Sequence, residues 1–310
     1  MELVIQIGLL ILGFVMLIKG ADFFVDGAAG IAGKFGIPQI VIGLTIVAFG
    51  TSAPEAAVSI TAAFKGNAEI TIGNVIGSNI LNVLIILGLT SVIVPLHVKK
   101  TTVKYEMPFV IVVSILLAVL GLKDGIVGFV DGIILWAGML LFLVYLFKLT
   151  KSSEVQDEEV QTEEKNIWLL LLMVFGGLAV IILGSDITVD SAIKMAEMFG
   201  VDDRIIGLTI VALGTSLPEL VTSVTAGIKG NADIAVGNIV GSNIFNLLFV
   251  VGTTALITPV AYAESFFVDS VACIGAVILL WIFATKTKVL GRLGGIAMLL
   301  CYGGYLAYLL

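Results

Sequence analysis

The residues best placed to do chemistry lie where polar side chains interrupt long apolar runs. Gly50-Thr51-Ser52-Ala53-Pro54-Glu55 is one such interruption, and Gly214-Thr215-Ser216-Leu217-Pro218-Glu219 is a second. Each combines one carboxylate with two hydroxyls. A carboxylate inside an apolar segment is costly in a membrane, so its default interpretation is a binding site. We therefore take Glu55 and Glu219 as the main candidate functional residues.

A second polar motif, Gly-Asn-x-x-Gly-Ser-Asn, follows each of these segments. In the first copy Ser78 and Asn82 are four residues apart, and Ser242 and Asn246 repeat this spacing. Residues four apart share one face of a helix, which predicts a polar wall opposite the carboxylates. We expect the remaining asparagines and the glycines of the motif to serve helix packing and interhelical hydrogen bonds. Those asparagines are Asn74, Asn79, Asn238 and Asn243.

Proline explains why the first motif can bind a cation. Pro54 has no N–H and its ring clashes with the preceding turn, so the carbonyl near Gly50 loses its helical partner. A freed carbonyl in lipid needs a partner, and a bound cation is one. Two carboxylates, hydroxyls and carbonyls form a hard, all-oxygen site that suits Ca²⁺ or Na⁺ and not soft metals. The alternative for each glutamate is a purely structural hydrogen bond.

The two motif pairs belong to one internal repeat. Residues 43–88 and 207–252 are identical at 28 of 46 positions, at a constant offset of 164 residues. The repeat extends further, because GADFFVD (20–26) recurs as GSDITVD (184–190). We expect the aspartates of these outer segments to be interfacial or capping residues. They are Asp22, Asp26, Asp186 and Asp190.

Composition fixes the class of the protein. Its 310 residues are 59% hydrophobic and 13% charged, and the mean hydropathy is +1.16. These values indicate an all-α polytopic membrane protein in the lipid bilayer. We predict ten transmembrane helices, at 3–32, 39–64, 70–94, 107–122, 126–148, 166–196, 205–228, 234–258, 266–284 and 292–310.

The chain divides into two halves around one polar segment. We predict a first five-helix repeat at 1–150, an acidic linker at 151–165 and a second five-helix repeat at 166–310. An odd number of spans per half inverts the second copy. Placing the N-terminus outside leaves eleven Lys and Arg residues on the inner side against four on the outer side, as the positive-inside rule requires. We therefore expect outside termini, a cytoplasmic linker, and Lys65 and Lys229 on opposite faces.

The doubled motifs carry a family resemblance. Paired GTSxPE and GNxxGSN segments are similar to the repeats of the sodium/calcium exchanger family, within the cation/calcium exchanger superfamily, and the likeness covers essentially the whole chain. The resemblance implies an antiporter that exchanges Na⁺ for Ca²⁺ across the cell membrane by alternating access at a midplane site. It also implies multi-pass insertion in the plasma or inner membrane, with no enzymatic activity.

The resemblance also assigns ligands. Glu55, Glu219 and the backbone carbonyls of Thr51 and Thr215 would bind Ca²⁺, while Asn82 and Asn246 would line the centre. Flanking sodium sites would use the carbonyls of Ala48 and Ala212 with the hydroxyls of Thr51, Ser52, Ser78, Thr215, Ser216 and Ser242. Many relatives have an acid at position 82, at position 246 or at both, where this chain has asparagine. Stoichiometry and a potassium requirement therefore remain open.

Several alternatives follow from the same residues. A Ca²⁺/H⁺ or K⁺-dependent exchanger could use this scaffold, and a cation channel is the rival from another class. An ATP-driven pump is disfavoured because the sequence has no P-loop. The single His97 and the absence of a Ser/His or Cys/His arrangement disfavour an intramembrane enzyme. We expect no cofactor, no nucleic acid and no obligatory protein partner, and a functional monomer.

Overall fold

The computed structural model describes residues 2–66, 68–151, 166–199 and 212–309. Helices account for nearly all of this part of the chain. They are α1 (Glu2–Phe35), α2 (Gln39–Thr51), α3 (Ala53–Phe64), α4 (Ile70–Ile93), α5 (Thr102–Asp124), α6 (Phe129–Thr150), α7 (Ile167–Met198), α8 (Ala212–Thr215), α9 (Leu217–Ile228), α10 (Ala232–Ile257), α11 (Phe266–Thr287) and α12 (Arg292–Leu309). Four two-residue strands join them: β1 (Leu96–His97), β2 (Ile126–Val127), β3 (Val260–Ala261) and β4 (Val289–Leu290).

The predicted all-α membrane class is confirmed. Within the described ranges, seven helices are long and apolar enough to cross a membrane, and α2 with α3 makes an eighth if that bent pair is one span. The other two predicted spans correspond to the 12-residue α9 and the 18-residue α12. Residues 205–211 of the predicted seventh span lie outside the described residues. The fourth span begins at Thr102, earlier than the predicted residue 107.

Each of the two GTSxPE segments breaks a helix. Ser52 leaves helical geometry at φ −81°, ψ 6°, and α3 turns 49° away from α2. Ser216 does the same at φ −93°, ψ 4°, between α8 and α9. Pro54 and Pro218 occupy the second position of the helix that follows, where the missing N–H has no helical partner in any case. Proline and serine thus end one helix and start another inside the membrane.

The short strands establish that the two repeats are inverted. β1 and β2 lie at opposite ends of α5, and therefore at opposite faces of the membrane. β3 is the repeat equivalent of β1, yet it pairs antiparallel with β2, while β1 pairs with β4. Equivalent strands therefore lie on opposite faces. The second repeat is upside down relative to the first, as the odd number of spans per half predicted.

Glycines let α1 and α7 pack along their length. A Cβ added to Gly177 would lie 2.7 Å from the backbone nitrogen of Phe24 and 2.8 Å from the carbonyl oxygen of Gly20. The equivalent pair, Gly13 and Gly184, meets in the same way, with the Gly13 carbonyl oxygen 3.0 Å from a Cβ added to Gly184. Close backbone approach through small residues is the usual basis of helix association in lipid. These two long helices therefore form one tightly packed pair.

Gly177→Val tests this packing against its chain neighbour. The new side chain would meet backbone atoms, which cannot move aside, so we expect a loss on the order of 3 kcal/mol in the free energy of unfolding. Gly176→Val is the matched control, because a Cβ there meets only Leu172 Cδ1, at 3.9 Å. Thermal unfolding of the detergent-solubilised variants measures the difference. Equal destabilisation of the two would contradict the close helix contact.

The helices that carry the second motif form the centre of the protein. In α10, 94% of the most apolar window is buried, against 22% in α1. Both α4 and α10 change to π-helical geometry, at Asn82–Leu87 and Asn246–Val250, so each π segment begins at one of the predicted site asparagines. Inserted π turns are frequent at functional sites. The sequence did not predict these turns.

Candidate functional site

The two glutamates lie in the first turns of α3 and α9, directly after the breaks. Glu55 is 1% exposed and Glu219 is fully buried. Exposed N–H groups and the helix dipole favour a negative charge at a helix N-terminus. Glu219 accepts a hydrogen bond from Ser52, three residues before Glu55, which links the two segments. The inverted repeats thus bring both candidate carboxylates into one buried site.

Residues of each repeat contact residues of the other at this site. Ser52 Oγ donates a hydrogen bond to Glu219 Oε1 at 2.9 Å. Ser242 Oγ donates to the carbonyl oxygen of Ala48 at 3.4 Å, which joins two of the residues assigned to the flanking sodium sites. All four residues are buried. Hydroxyl, carbonyl and carboxylate oxygens from the two repeats therefore meet in this half of the site.

Asparagines fix the backbone of both glutamates. Asn74 Nδ2 donates to the carbonyl oxygen of Glu55 at 3.3 Å and to Ser59 Oγ at 3.0 Å. The equivalent Asn238 Nδ2 donates to the Glu219 carbonyl oxygen at 3.4 Å and to Ser223 Oγ at 2.9 Å. Asn74 and Asn238 thus make the interhelical hydrogen bonds expected of them. They hold the start of α3 and α9 against α4 and α10.

The other asparagines join the two repeats at their crossing point. Asn79 Nδ2 donates to the Asn243 carbonyl oxygen at 3.2 Å, and Asn243 Nδ2 donates back to the Asn79 carbonyl oxygen at 3.3 Å. Asn82 Nδ2 donates to Asn243 Oδ1 at 3.0 Å, and Asn246 Nδ2 donates to Asn79 Oδ1 at 3.2 Å. Such reciprocal contacts are the signature of a two-fold relation between the halves.

These hydrogen bonds leave one matched set of oxygens without a protein partner. Among the described residues, five buried oxygens of the predicted site have no hydrogen-bond partner: Oε2 of Glu55 and Glu219, Oδ1 of Asn82 and Asn246, and Oγ of Ser216. A buried acceptor without a partner costs about 1–3 kcal/mol. Four of these oxygens form two repeat-related pairs. A cation that accepts carboxylate and carboxamide oxygens would offset this cost.

The other predicted ligands differ in how deeply they are buried. Ser78 is 4% exposed, and Ser216 is 3% exposed. Thr215 is half-buried, whereas its equivalent Thr51 is fully buried, with Oγ1 3.0 Å from Asn238 Oδ1. Ala212 begins α8, and its side chain lies outside the described part of the chain.

Sequence reasoning missed two serines. Ser59 and Ser223 are fully buried and accept the hydrogen bonds of Asn74 and Asn238. Their identity at the same position of both repeats was the available signal.

Two aspartates of the outer repeat segments, Asp22 and Asp26, make ion pairs away from this site. Lys229 Nζ lies 2.7 Å from Asp26 Oδ1 and 3.3 Å from Asp22 Oδ1, at the partly exposed end of α9. Asp22 and Asp26 are therefore surface ion-pair residues, as expected of interfacial positions. Asp186 and Asp190 are exposed.

The donor atoms of the site suit a hard cation. Its buried donors are carboxylate, carboxamide, hydroxyl and carbonyl oxygens. No group of three or more His, Cys, Asp or Glu side chains that could hold one metal ion occurs within the described ranges. The formal charge of the site comes from Glu55 and Glu219. Neutral and anionic oxygens at this ratio suit Na⁺ and Ca²⁺.

Fold and site together define the class of the protein. Inverted repeats whose helices break around a buried polar site are the architecture of secondary transporters. The family is shown by its sequence match: the model described as "Sodium/calcium exchanger protein" matches residues 5–150 and 169–310. The chain belongs to the sodium/calcium exchanger family, a family of transporters and not of enzymes.

Individual relatives support the assignment over nearly the full length. The chain is 40% identical to the putative antiporter CaxA of Alkalimonas amylolytica over 310 residues, which cover 95% of each protein. It is 36% identical to the inner membrane protein YrbG of Escherichia coli, over 97% of this chain and 94% of that protein. The structure of the sodium-calcium exchanger NCX_Mj soaked with 2.5 mM Na⁺ and 10 mM Sr²⁺ superimposes with a TM-score of 0.83 at 34% identity, covering 98% of this chain and 99% of that one.

Proposed function

We propose that this protein is a secondary antiporter that exchanges Na⁺ for Ca²⁺ by alternating access. The observation that carries the proposal is the repeat-related set of buried oxygens without protein partners, two from glutamates and two from asparagines. Two carboxylates neutralise one divalent cation, and the neutral oxygens complete its shell. NCX_Mj, which was soaked with Na⁺ and Sr²⁺, is named a sodium-calcium exchanger and shares this fold.

In this proposal the two glutamates and the carbonyls of Thr51 and Thr215 bind Ca²⁺. Asn82 and Asn246 supply the central neutral oxygens. Sodium ions occupy flanking positions formed by the carbonyls of Ala48 and Ala212 and by the hydroxyls of Thr51, Ser52, Ser78, Thr215, Ser216 and Ser242. The contact between Ser242 Oγ and the Ala48 carbonyl oxygen supports one of these flanking positions.

The driving ion is the point on which related functions differ. A proton-coupled or potassium-dependent exchanger would use the same two glutamates. A channel would conduct through the same oxygens without a counter-ion. NCX_Mj is named a sodium-calcium exchanger and CaxA a putative antiporter, and the first of these names favours sodium.

Calcium uptake into Na⁺-loaded vesicles tests the driving ion. We expect an outward Na⁺ gradient to drive ⁴⁵Ca²⁺ uptake at least about tenfold above vesicles loaded with choline, because coupling converts the Na⁺ gradient into Ca²⁺ accumulation. A pH gradient or K⁺ loading alone should give only background uptake. Uptake driven by the pH gradient without Na⁺ would instead identify proton coupling.

We further propose the orientation and organisation of the chain. The segment 151–165, of which residues 152–165 lie outside the described residues, is the cytoplasmic linker between the repeats 1–150 and 166–310, with both termini outside. The excess of Lys and Arg on the linker side supports this orientation. The inner-membrane name of YrbG supports placement in the cell membrane. The site uses residues of a single chain, which supports a functional monomer.

Single cysteines on equivalent strands test the orientation. His97 in β1 and Ala261 in β3 are exposed and occupy the same repeat position. In a background where the exposed Cys301 is replaced by serine, we expect His97→Cys to react with an impermeant maleimide only from the cytoplasm. Ala261→Cys should react only from outside. Labelling with the sides exchanged would reverse the proposed orientation, and labelling of both from one side would contradict the inversion.

A further inference from the structure

The asparagines at the crossing of the repeats divide into two kinds. Asn82 and Asn246 each donate one hydrogen bond through Nδ2 and keep Oδ1 without a partner among the described residues. Asn79 and Asn243 instead use both ends of the side-chain amide: each donates through Nδ2 and accepts through Oδ1. The second kind therefore has its hydrogen bonds satisfied within the protein, whereas the first kind does not.

Backbone geometry fixes the orientation of the satisfied pair. The Nδ2 groups of Asn79 and Asn243 are held by backbone carbonyl oxygens of the opposite repeat, which can only accept. Rotating either amide by 180° would place two acceptors against each other. The Oδ1 atoms of Asn79 and Asn243 must therefore point at Asn246 and Asn82 as acceptors.

The orientation of Asn79 and Asn243 determines that of Asn82 and Asn246. Oδ1 of Asn243 lies 3.0 Å from the amide of Asn82, and Oδ1 of Asn79 lies 3.2 Å from the amide of Asn246. Since both oxygens are acceptors, Asn82 and Asn246 must each turn Nδ2 towards them and Oδ1 to the opposite side. A carboxamide that flips freely would offer a cation an N–H₂ group half of the time. All four residues are at most 1% exposed, so bulk solvent does not compete for these contacts.

We propose that Asn79 and Asn243 are positioning residues that orient the amide oxygens of Asn82 and Asn246 towards the cation. The inference deepens the proposed function and rests on it. The two backbone carbonyls fix the amides of Asn79 and Asn243, and these amides in turn fix those of Asn82 and Asn246. The two central asparagines then present their oxygens to Ca²⁺. Each oxygen is thus oriented by the opposite repeat, so both halves of the protein are needed to shape either half of the site.

A double-mutant cycle on equilibrium ⁴⁵Ca²⁺ binding to the purified protein tests the proposal. Asn82→Ala removes a ligand oxygen and is expected to weaken Ca²⁺ binding about tenfold. Asn243→Ala leaves the oxygen present but no longer oriented, and should weaken binding by several-fold to about tenfold. The double variant should bind no worse than Asn82→Ala, because Asn243 acts only through Asn82.

The binding results distinguish failure of the positioning role from failure of the proposed ion site. Unchanged affinity in Asn82→Ala together with lost affinity in Glu55→Gln would overturn the positioning role alone, whereas unchanged affinity in both would overturn the ion site itself. A loss in Asn82→Ala with multiplicative losses in the double variant, about a hundredfold in total, would overturn the positioning role and leave the site intact. Thermal unfolding of the same variants measures the structural contribution separately, and it too is expected to be non-additive, because Asn82 and Asn243 share one hydrogen bond.

The repeat provides an independent replicate and a control. Asn246→Ala with Asn79→Ala forms the equivalent cycle in the other half, and it serves if either Asn243 variant fails to fold. Thr90→Val and Thr254→Val are matched controls, because each hydroxyl is buried on the same helices but bonds only to the carbonyl one turn earlier. Both controls should bind Ca²⁺ within about twofold of wild type. A tenfold loss in the controls would assign the asparagine effects to general packing.

Discussion

Glu55→Gln or Glu219→Gln is expected to abolish Ca²⁺ transport, lowering tracer flux by about 100-fold or more. Glutamine nearly matches glutamate in shape, so the substitution removes charge and leaves packing almost intact. A Ca²⁺ ion facing one carboxylate would leave the buried site with a net charge of +1. Breaking a buried charge pair on one side costs about 3–5 kcal/mol, which corresponds to a loss of this size.

The double variant and a matched control sharpen this expectation. Glu55 and Glu219 act on one ion, so the double substitution should be no worse than either single one. Glu106→Gln is the control, because Glu106 is an equally buried glutamate of the membrane region that accepts a hydrogen bond from Tyr145 and lies outside both motifs. Near-normal flux in Glu55→Gln, or abolished flux in Glu106→Gln alone, would place the transported ion elsewhere.

Proteoliposomes loaded with Ca²⁺ are expected to retain it until a counter-cation is supplied. With Ca²⁺ bound, two carboxylates are neutralised and the loaded site can change its exposure while closed. The empty site carries two negative charges, and moving these through a low-dielectric barrier costs several kcal/mol. The carrier therefore should not return empty, and we expect efflux into choline buffer to be at least about 100-fold slower than efflux into Na⁺ buffer.

Measurement of ⁴⁵Ca²⁺ efflux at constant pH decides the point. Glu219→Gln proteoliposomes give the background leak, since both buffers should show the same slow efflux there. Fast efflux of the wild type into choline would contradict obligatory exchange, and conductance steps in a planar bilayer would then identify a channel.

The sequence alone determined most of the architecture. Mean hydropathy and the length of the apolar runs predicted a membrane protein of helices, because lipid offers no partners to an unpaired backbone. The offset of 164 residues predicted two repeats, and five spans per half predicted their inversion. The pairing of β2 with β3 agrees with that inversion. Pro54 likewise predicted a distorted helix near Gly50, since the missing N–H is a local property of the residue, and the structure places the breaks at Ser52 and at its equivalent Ser216.

Only the tertiary structure decided how the site is assembled. Sequence spacing placed Ser78 with Asn82 on one helix face, but it could not show that Ser52 of one repeat binds Glu219 of the other. The π turns that begin at Asn82 and Asn246 also had no signal in residue type. Above all, the orientation of those two amides follows from carbonyls across the repeat interface. Periodicity along a chain determines which residues share a helix face. The direction of a side-chain hydrogen bond depends on which face of a neighbouring helix that side chain meets.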